Sequence, residues 1–231
     1  MILRTELKLV LREPVPLAFM LGLPLILLLA FGLAEPSGDL DNELASLAVA
    51  LSFAMLALFM LPGYMTDYRA RGVLRRLSTT PVHPARLLTA QLVIQGAFAL
   101  VSVPLVLALG AAIGMAMPAA PLTLVGVLLL GGAALFSLGL LVAALAPDAR
   151  TAWVFEALLF FPSLFMAGVY LPREQMPGWL ARIGDFTPLG AFRVSVEDAW
   201  TGAAPDPLLL TALAVTAAAV GTLAARVFRW E

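Results

Sequence analysis

The sequence predicts an all-α, polytopic membrane protein with six transmembrane helices. Three observations carry this. First, six apolar stretches, at residues 15–34, 44–65, 87–117, 121–146, 151–171 and 208–228, fill almost all of the 231-residue chain. Each reaches the roughly 20 helical residues needed to cross a hydrocarbon core about 30 Å thick. Second, hydrophobic residues make up 61% of the chain and charged ones 13%, so the helices are apolar on every side rather than along one stripe. Third, the charges are sorted between alternate joints. Eleven of the fourteen basic residues share one side: Arg4, Lys8, Arg12, Arg69, Arg71, Arg75, Arg76, Arg86, Arg150, Arg226 and Arg229. The other side holds Arg173, Arg182 and Arg193 with nine acids, from Glu35 to Asp206. The positive-inside rule then places both termini on the cytoplasmic side of a cell membrane, and an even number of spans agrees with their sharing a side. No polar stretch is long enough to fold separately, so residues 1–231 are expected to form one transmembrane domain.

Residues 1–14 read as an amphipathic helix, with Leu3, Leu7 and Val10 at helical spacing and Arg4, Lys8 and Arg12 on the neighbouring face. It either lies on the inner leaflet with its basic side toward headgroups or forms a frayed basic end. Pro14 and Pro16 turn the chain into the first span. That span has a basic flank and small residues at its end, like a signal peptide. Its length exceeds the usual apolar region of roughly 7–15 residues, so it is kept as a span.

The joint after span two reads TDYRARGVLRRLSTTPVHP over residues 66–84. Thr66 or Asp67 is expected to cap a helix that runs to about Leu77 and stops before Pro81. Val73, Leu74 and Leu77 make an apolar patch ringed by Arg69, Arg71, Arg75 and Arg76. Such a helix would dock a cytoplasmic partner; the same charges also serve as a plain topology signal, and the residues alone fit both readings.

Span three is long, about 46 Å over 31 residues if fully helical. It is expected to project into the cytoplasm or to kink near Pro104, with Gln91 and Gln95 at a wetter inner end. Prolines at 118 and 121 separate it from span four, where Ala133 with Ser137 and Gly139 with Ala143 permit close packing. Span five holds Glu156, six residues or about 9 Å past Arg150. Carboxylates at membrane depth are costly and face the bundle interior or a wet cavity. The alternative is a residue near the inner interface, hydrogen-bonded or paired with Arg150. In the joint 172–207, residues 178–186 set Trp179, Leu180 and Ile183 on one helical face and Arg182 and Asp185 on the other. That suits a helix in, or dipping into, the outer interface with Trp179 at headgroup depth, against an ordinary extracellular loop.

An inventory of reactive groups opposes an enzyme. The only lysine, Lys8, has no phosphate-loop context. A nucleophile–histidine pair would require the single histidine, His83, in a cytoplasmic joint. One histidine and no cysteine leave only carboxylates for zinc, none well spaced. The few juxtamembrane arginines are accounted for by topology, so no nucleic-acid partner is expected.

Two segments resemble the permease subunits of ABC-2 type ABC transporters, a family that includes drug and antibiotic exporters. Residues 68–81, YRARGVLRRLSTTP, are similar to the family's segment between spans two and three at Gly72, Leu74, Leu77, Thr80 and Pro81. They depart from it at Arg69 and Ala70, where many relatives carry acids. Residues 161–189, FPSLFMAGVYLPREQMPGWLARIGDFTPL, are similar to the end of span five and the following re-entrant segment. Pro162, Gly168, Pro172, Met176, Pro177, Trp179, Pro188 and Leu189 carry that match.

The resemblance implies a cytoplasmic coupling helix at 67–80 and an extracellular re-entrant or interfacial helix before the last span. It implies two permeases, expected as a homodimer, with two copies of a separate ATP-binding subunit. No cofactor would bind this chain directly; ATP and magnesium would sit on the partner. Coupling to the ATPase falls to Arg69, Arg71, Gly72, Leu74, Arg75, Arg76 and Leu77. Glu156, Phe160 and Pro162 are candidates for the substrate path, and Gly168, Pro172, Pro177, Trp179 and Pro188 shape the re-entrant segment. The expected activity is export of an amphiphilic drug, natural product or lipid-like molecule. The competing reading, a stand-alone secondary transporter or channel, calls for midplane charges and paired broken helices, of which only Glu156 is present.

Overall fold

A computed structural model describes residues 2–34, 41–73, 85–170 and 175–228. Those residues form helices joined by turns, with no strand among them. Six helical stretches are long and apolar enough to cross a membrane: Pro14–Ala34, Asn42–Ala70, Arg86–Ala112, Pro121–Leu145, Ala149–Met166 and Pro207–Val227. The chain is thus a multi-pass membrane protein.

Helix α1 (Ile2–Arg12) precedes the first span, α2 (Pro14–Ala34). The second span is built from α3 (Asp41–Met55), a π-helical turn (Leu56–Met60) and α4 (Leu61–Ala70). Spans three to five are α5 (Ala85–Ala112), α6 (Pro121–Leu145) and α7 (Ala149–Met166). Two shorter helices, α8 (Gly178–Phe186) and α9 (Pro188–Thr201), lead to the last span, α10 (Pro207–Val227).

The second span is the axis of the bundle. Of its most apolar stretch 83% is buried, against 11% for the first span and 17% for the last, which leave most of their surface exposed. Glycines let neighbours reach that axis. A Cβ at Gly139 would overlap the Ala57 carbonyl in the π turn, and one at Gly131 would overlap the Phe192 ring. Phe192 in turn lies 5.2 Å from Phe53, ring centre to ring centre. Span four therefore packs through its small residues, as close approach of helix backbones demands.

Thr66 and Asp67 do not start a helix; they lie inside the end of α4. The Thr66 hydroxyl donates to the Pro62 and Gly63 carbonyls, each at 3.0 Å, and Asp67 pairs with Arg71 at 2.8 Å, one turn on. A threonine inside a helix bonds back to the preceding turn because the amides ahead of it are already engaged. The helix stops at Ala70, and Gly72 takes φ +65°, a left-handed conformation that glycine adopts without steric cost. Residues 67–70 of the expected coupling helix thus belong to span two, and 74–80 lie outside the described residues.

Span three is shorter than expected. Helix α5 runs on through Pro104 and ends at Ala112, about 42 Å of helix, rather than reaching residue 117. The turn into span four is fixed by α9. The Ala119 and Ala120 amides donate to the Trp200 and Ala199 carbonyls at 2.9 and 3.1 Å, and the Trp200 indole donates to the Ala116 carbonyl at 3.0 Å. This backbone clasp satisfies polar groups that lipid could not.

The corner between α8 and α9 is equally tight. The Thr187 hydroxyl oxygen accepts from the Gly190 amide at 3.1 Å and so caps α9, with Pro188 as its first residue. A Cβ at Gly190 would overlap the Gly184 carbonyl. The chain therefore reverses here without room for any larger residue.

Candidate functional site

At the arginine-rich end of the bundle, α1, the end of α4, the start of α5, the end of α6 and Phe228 are tied together. Arg69 donates through Nη1 to the Ala146 carbonyl and through Nη2 to the Ala143 carbonyl at 3.3 Å. The last carbonyls of a helix lack intrahelical partners and carry partial negative charge, so a guanidinium suits them. The same guanidinium stands 5.9 Å from the centre of the Phe228 ring. Arg71 is exposed and paired with Asp67, and Gly72 forms the turn just beyond. Leu74, Arg75, Arg76 and Leu77 lie outside the described residues.

Helix α1 packs one face against the bundle. Val10 is fully buried, and the Glu6 carboxylate is buried with it. Glu6 Oε2 accepts hydrogen bonds from the Tyr68 hydroxyl and from Gln91 Nε2, the latter at 2.6 Å. Sequence reasoning missed Glu6 because it weighed only the basic and apolar faces. The signal was present: Leu3, Glu6 and Val10 share a face at spacings of three and four.

An apolar cavity of about 440 Å³ opens between the first, second and fifth spans. Phe19, Phe31, Phe59, Phe160, Phe161 and Tyr170 supply its aromatic walls. Phe160 meets Phe59 edge-on at 4.8 Å between ring centres. Toward the arginine-rich end a second cavity, about 330 Å³, is walled by Glu13, Tyr64, Asp67 and Arg71. The two adjoin, since Met20 and Phe59 line both.

The three substrate-path candidates separate. Phe160 lines the apolar cavity. Glu156, one turn earlier on α7, is 5% exposed and makes no ion pair with Arg150 among the described residues. Pro162 is exposed on the outer face of α7. The N-terminus of α7 is instead held by Asp148, whose carboxylate accepts from the Thr151 amide at 2.8 Å. That bond keeps the Asp148 carboxyl below its usual range.

At the opposite end, Gly168 closes α7 with φ +88°, Pro177 precedes α8, and Trp179 is 66% exposed. Pro172 lies outside the described residues. The central residue here is Arg193 on α9, counted in the sequence as an ordinary charge of an outer joint. It is 1% exposed. It donates to the Ala167 carbonyl at 2.6 Å, to Glu43 at 2.6 Å and to Glu197 at 3.3 Å. It thereby joins the start of span two, the end of span five and α9.

Among the described residues no group of three or more His, Cys, Asp or Glu is placed to hold a metal ion. What the molecule offers is an apolar chamber with aromatic walls, and polar ties at both ends that link helices far apart in sequence. No curated protein and no solved structure was found to match the chain. A family model described as "ABC-2 type transporter" matches residues 1–195, from α1 through the first five spans and into α9. With more than four-fifths of its length matched, this chain belongs to the ABC-2 type transporter family, the membrane permeases of ABC transport systems.

Proposed function

We propose that this chain is the permease subunit of an ATP-driven exporter that carries an amphiphilic drug, natural product or lipid-like molecule out of the cytoplasm. The observation that carries the substrate class is the aromatic-walled apolar cavity, adjoined at the arginine-rich end by a polar one. Such a pair suits a molecule with an apolar body and a polar head, since few polar groups in a mostly apolar pocket fix orientation.

In this reading two copies of the chain, forming one transmembrane domain each over residues 1–231, work with two copies of an ATP-binding subunit. Both termini and the segment 67–80 lie in the cytoplasm, and the segment 172–207 forms the extracellular re-entrant unit. Arg69, Arg71, Gly72, Leu74, Arg75, Arg76 and Leu77 receive the movement of the ATPase. Arg69 is well placed for this, because it sits at the end of span two and binds the end of span four. Displacement of the coupling segment would then move spans two, three and four together and change which side of the membrane the cavity faces. Glu156 and Pro162 act beside the path, and Phe160 forms part of its wall.

The test is transport in inside-out vesicles with a lipophilic fluorescent amphiphile. Uptake is expected only when the chain is co-expressed with its ATP-binding subunit and supplied with ATP. Uptake by the chain alone, driven by an ion gradient, would make it a secondary transporter.

A further inference from the structure

Span three carries two glutamines one helical turn apart on its buried face. Gln91 and Gln95 are both fully buried. Gln91 is engaged through its nitrogen: Nε2 donates to Glu6 at 2.6 Å, and the Tyr68 hydroxyl donates to the same carboxylate oxygen, while Gln91 Oε1 has no partner among the described residues. Gln95 is not. Among the described residues neither its Nε2 nor its Oε1 has a hydrogen-bond partner. Inside a membrane bundle this is unfavourable, since lipid cannot supply the missing bonds. Buried polar groups left unpaired are rare enough to call for a reason.

The position of the engaged set supplies one. Tyr68 ends span two and Gln91 begins span three, so they stand at the two roots of the joint between those spans. Glu6 on α1 staples both roots together. Movement of the joint must either break this staple or re-form it elsewhere.

We propose that Gln91 and Gln95 are alternative seats for the Glu6 carboxylate, and that α5 steps one helical turn along α1 when the joint moves. One turn is about 5.4 Å, and the two glutamines are spaced to match it. Such a step of one packed helix past another gives two discrete states rather than a continuum. In the state described here Gln91 occupies the seat and Gln95 waits. Drawing α5 toward the arginine-rich end would present Gln95 Nε2 to Glu6, so one amide-to-carboxylate bond replaces another of the same kind. Glu6, Gln91 and Gln95 are thus positioning residues. What drives the step rests on the coupling function proposed above; the two seats rest on the geometry alone.

The chain contains no cysteine, so introduced pairs can be crosslinked without background. The variants E6C/Q91C and E6C/Q95C are oxidised in membranes with the ATP-binding subunit present, nucleotide-free and with ATP trapped by vanadate. Both pairs are expected to crosslink, the first faster without nucleotide and the second faster with trapped ATP. Equal crosslinking of the first pair in both states, with none of the second, overturns the proposal. Independently, Gln95→Leu in the full complex should raise the melting temperature in detergent, because an unpaired amide is removed. It should lower transport roughly tenfold or more, with co-purification of the ATPase unchanged. A lower melting temperature with wild-type transport would instead mark a glutamine held in place by water, and would overturn it too. Co-purification is scored separately. If no ATPase binds, the coupling function fails, yet two exchanging seats must still crosslink both pairs in the isolated chain; crosslinking of the first pair alone then refutes the seats.

Discussion

Arg193 shows what a single buried charge does in this bundle. It is enclosed, and it reaches Glu43, Glu197 and the Ala167 carbonyl at once. Removing it leaves the Ala167 carbonyl and two carboxylates, a quarter to a third exposed, without their donor, at a cost of about 1–3 kcal/mol. Arg193→Ala is therefore expected to destabilise the protein by about that amount in a detergent unfolding assay. Arg193→Lys should restore little, because a compact ammonium lacks the forked geometry that spans carbonyl and carboxylates. Wild-type stability in both variants would show that the tie is incidental. Glu156 presents the reverse case: a buried carboxylate with no ion pair to Arg150 and no place on the wall of the apolar cavity. Glu156→Ala should insert more readily, since a charge at membrane depth costs about 2.5–3.5 kcal/mol on insertion scales. It should also lower efflux at matched protein levels, with ATPase docking intact. Retained efflux in Glu156→Gln would assign the role to hydrogen bonding. Wild-type efflux in both variants removes Glu156 from the mechanism.

At the scale of elements, the approach of α6 to the second span depends on Gly139, because any Cβ there meets the Ala57 carbonyl of the π turn. Backbone cannot move aside as a side-chain tip can. Gly139→Ala should thus cost about 1–3 kcal/mol of stability by overpacking, read as a fall in melting temperature, whereas Gly126→Ala, with open space around it, should cost little. The coupling segment makes a second claim at this scale. Leu74→Asp with Leu77→Asp should weaken co-purification of the ATPase while membrane insertion stays normal; unchanged docking and transport would reduce the segment to a topology signal. The six spans were legible in the sequence because length and hydropathy alone define them. The end of α4 was not. The pattern around Thr66 and Asp67 fits a helix start as well as a helix interior, and only the Thr66 bonds to Pro62 and Gly63 decide between them. Arg193 was counted among the outer charges but not singled out, for a different reason. Its partner Glu43 is 150 residues away, so nothing local marks it as buried. Of the residues named for the substrate path, Phe160 lines the apolar cavity, whereas Pro162, two residues on, falls on the outer face of the same helix.

At the scale of the whole molecule, the question is which side each end of the bundle faces. The Glu6 staple brings the N-terminal helix to the end of span two and the start of span three. Arg69 brings the end of span four and Phe228 to the same place. These are the ends that carry most of the arginines. The clasp of Trp200 on Ala116 and the Arg193 tie gather the opposite ends. Six spans arranged in this way leave one orientation consistent with positive charge on the cytoplasmic side. Tags at both termini and at Ser78 should therefore report the cytoplasm, and tags at Ser37 and Gly202 the exterior. Gly202 is the decisive position, because α8 and α9 lie between span five and the last span and either could be mistaken for a crossing. If α9 crossed the membrane, a tag at Gly202 would report cytoplasm, and the last span would then carry Arg226 to the outside, against the charge rule. A cytoplasmic signal at Gly202 with an external C-terminus would overturn the six-span topology and, with it, the placement of the Arg193 tie outside the cell.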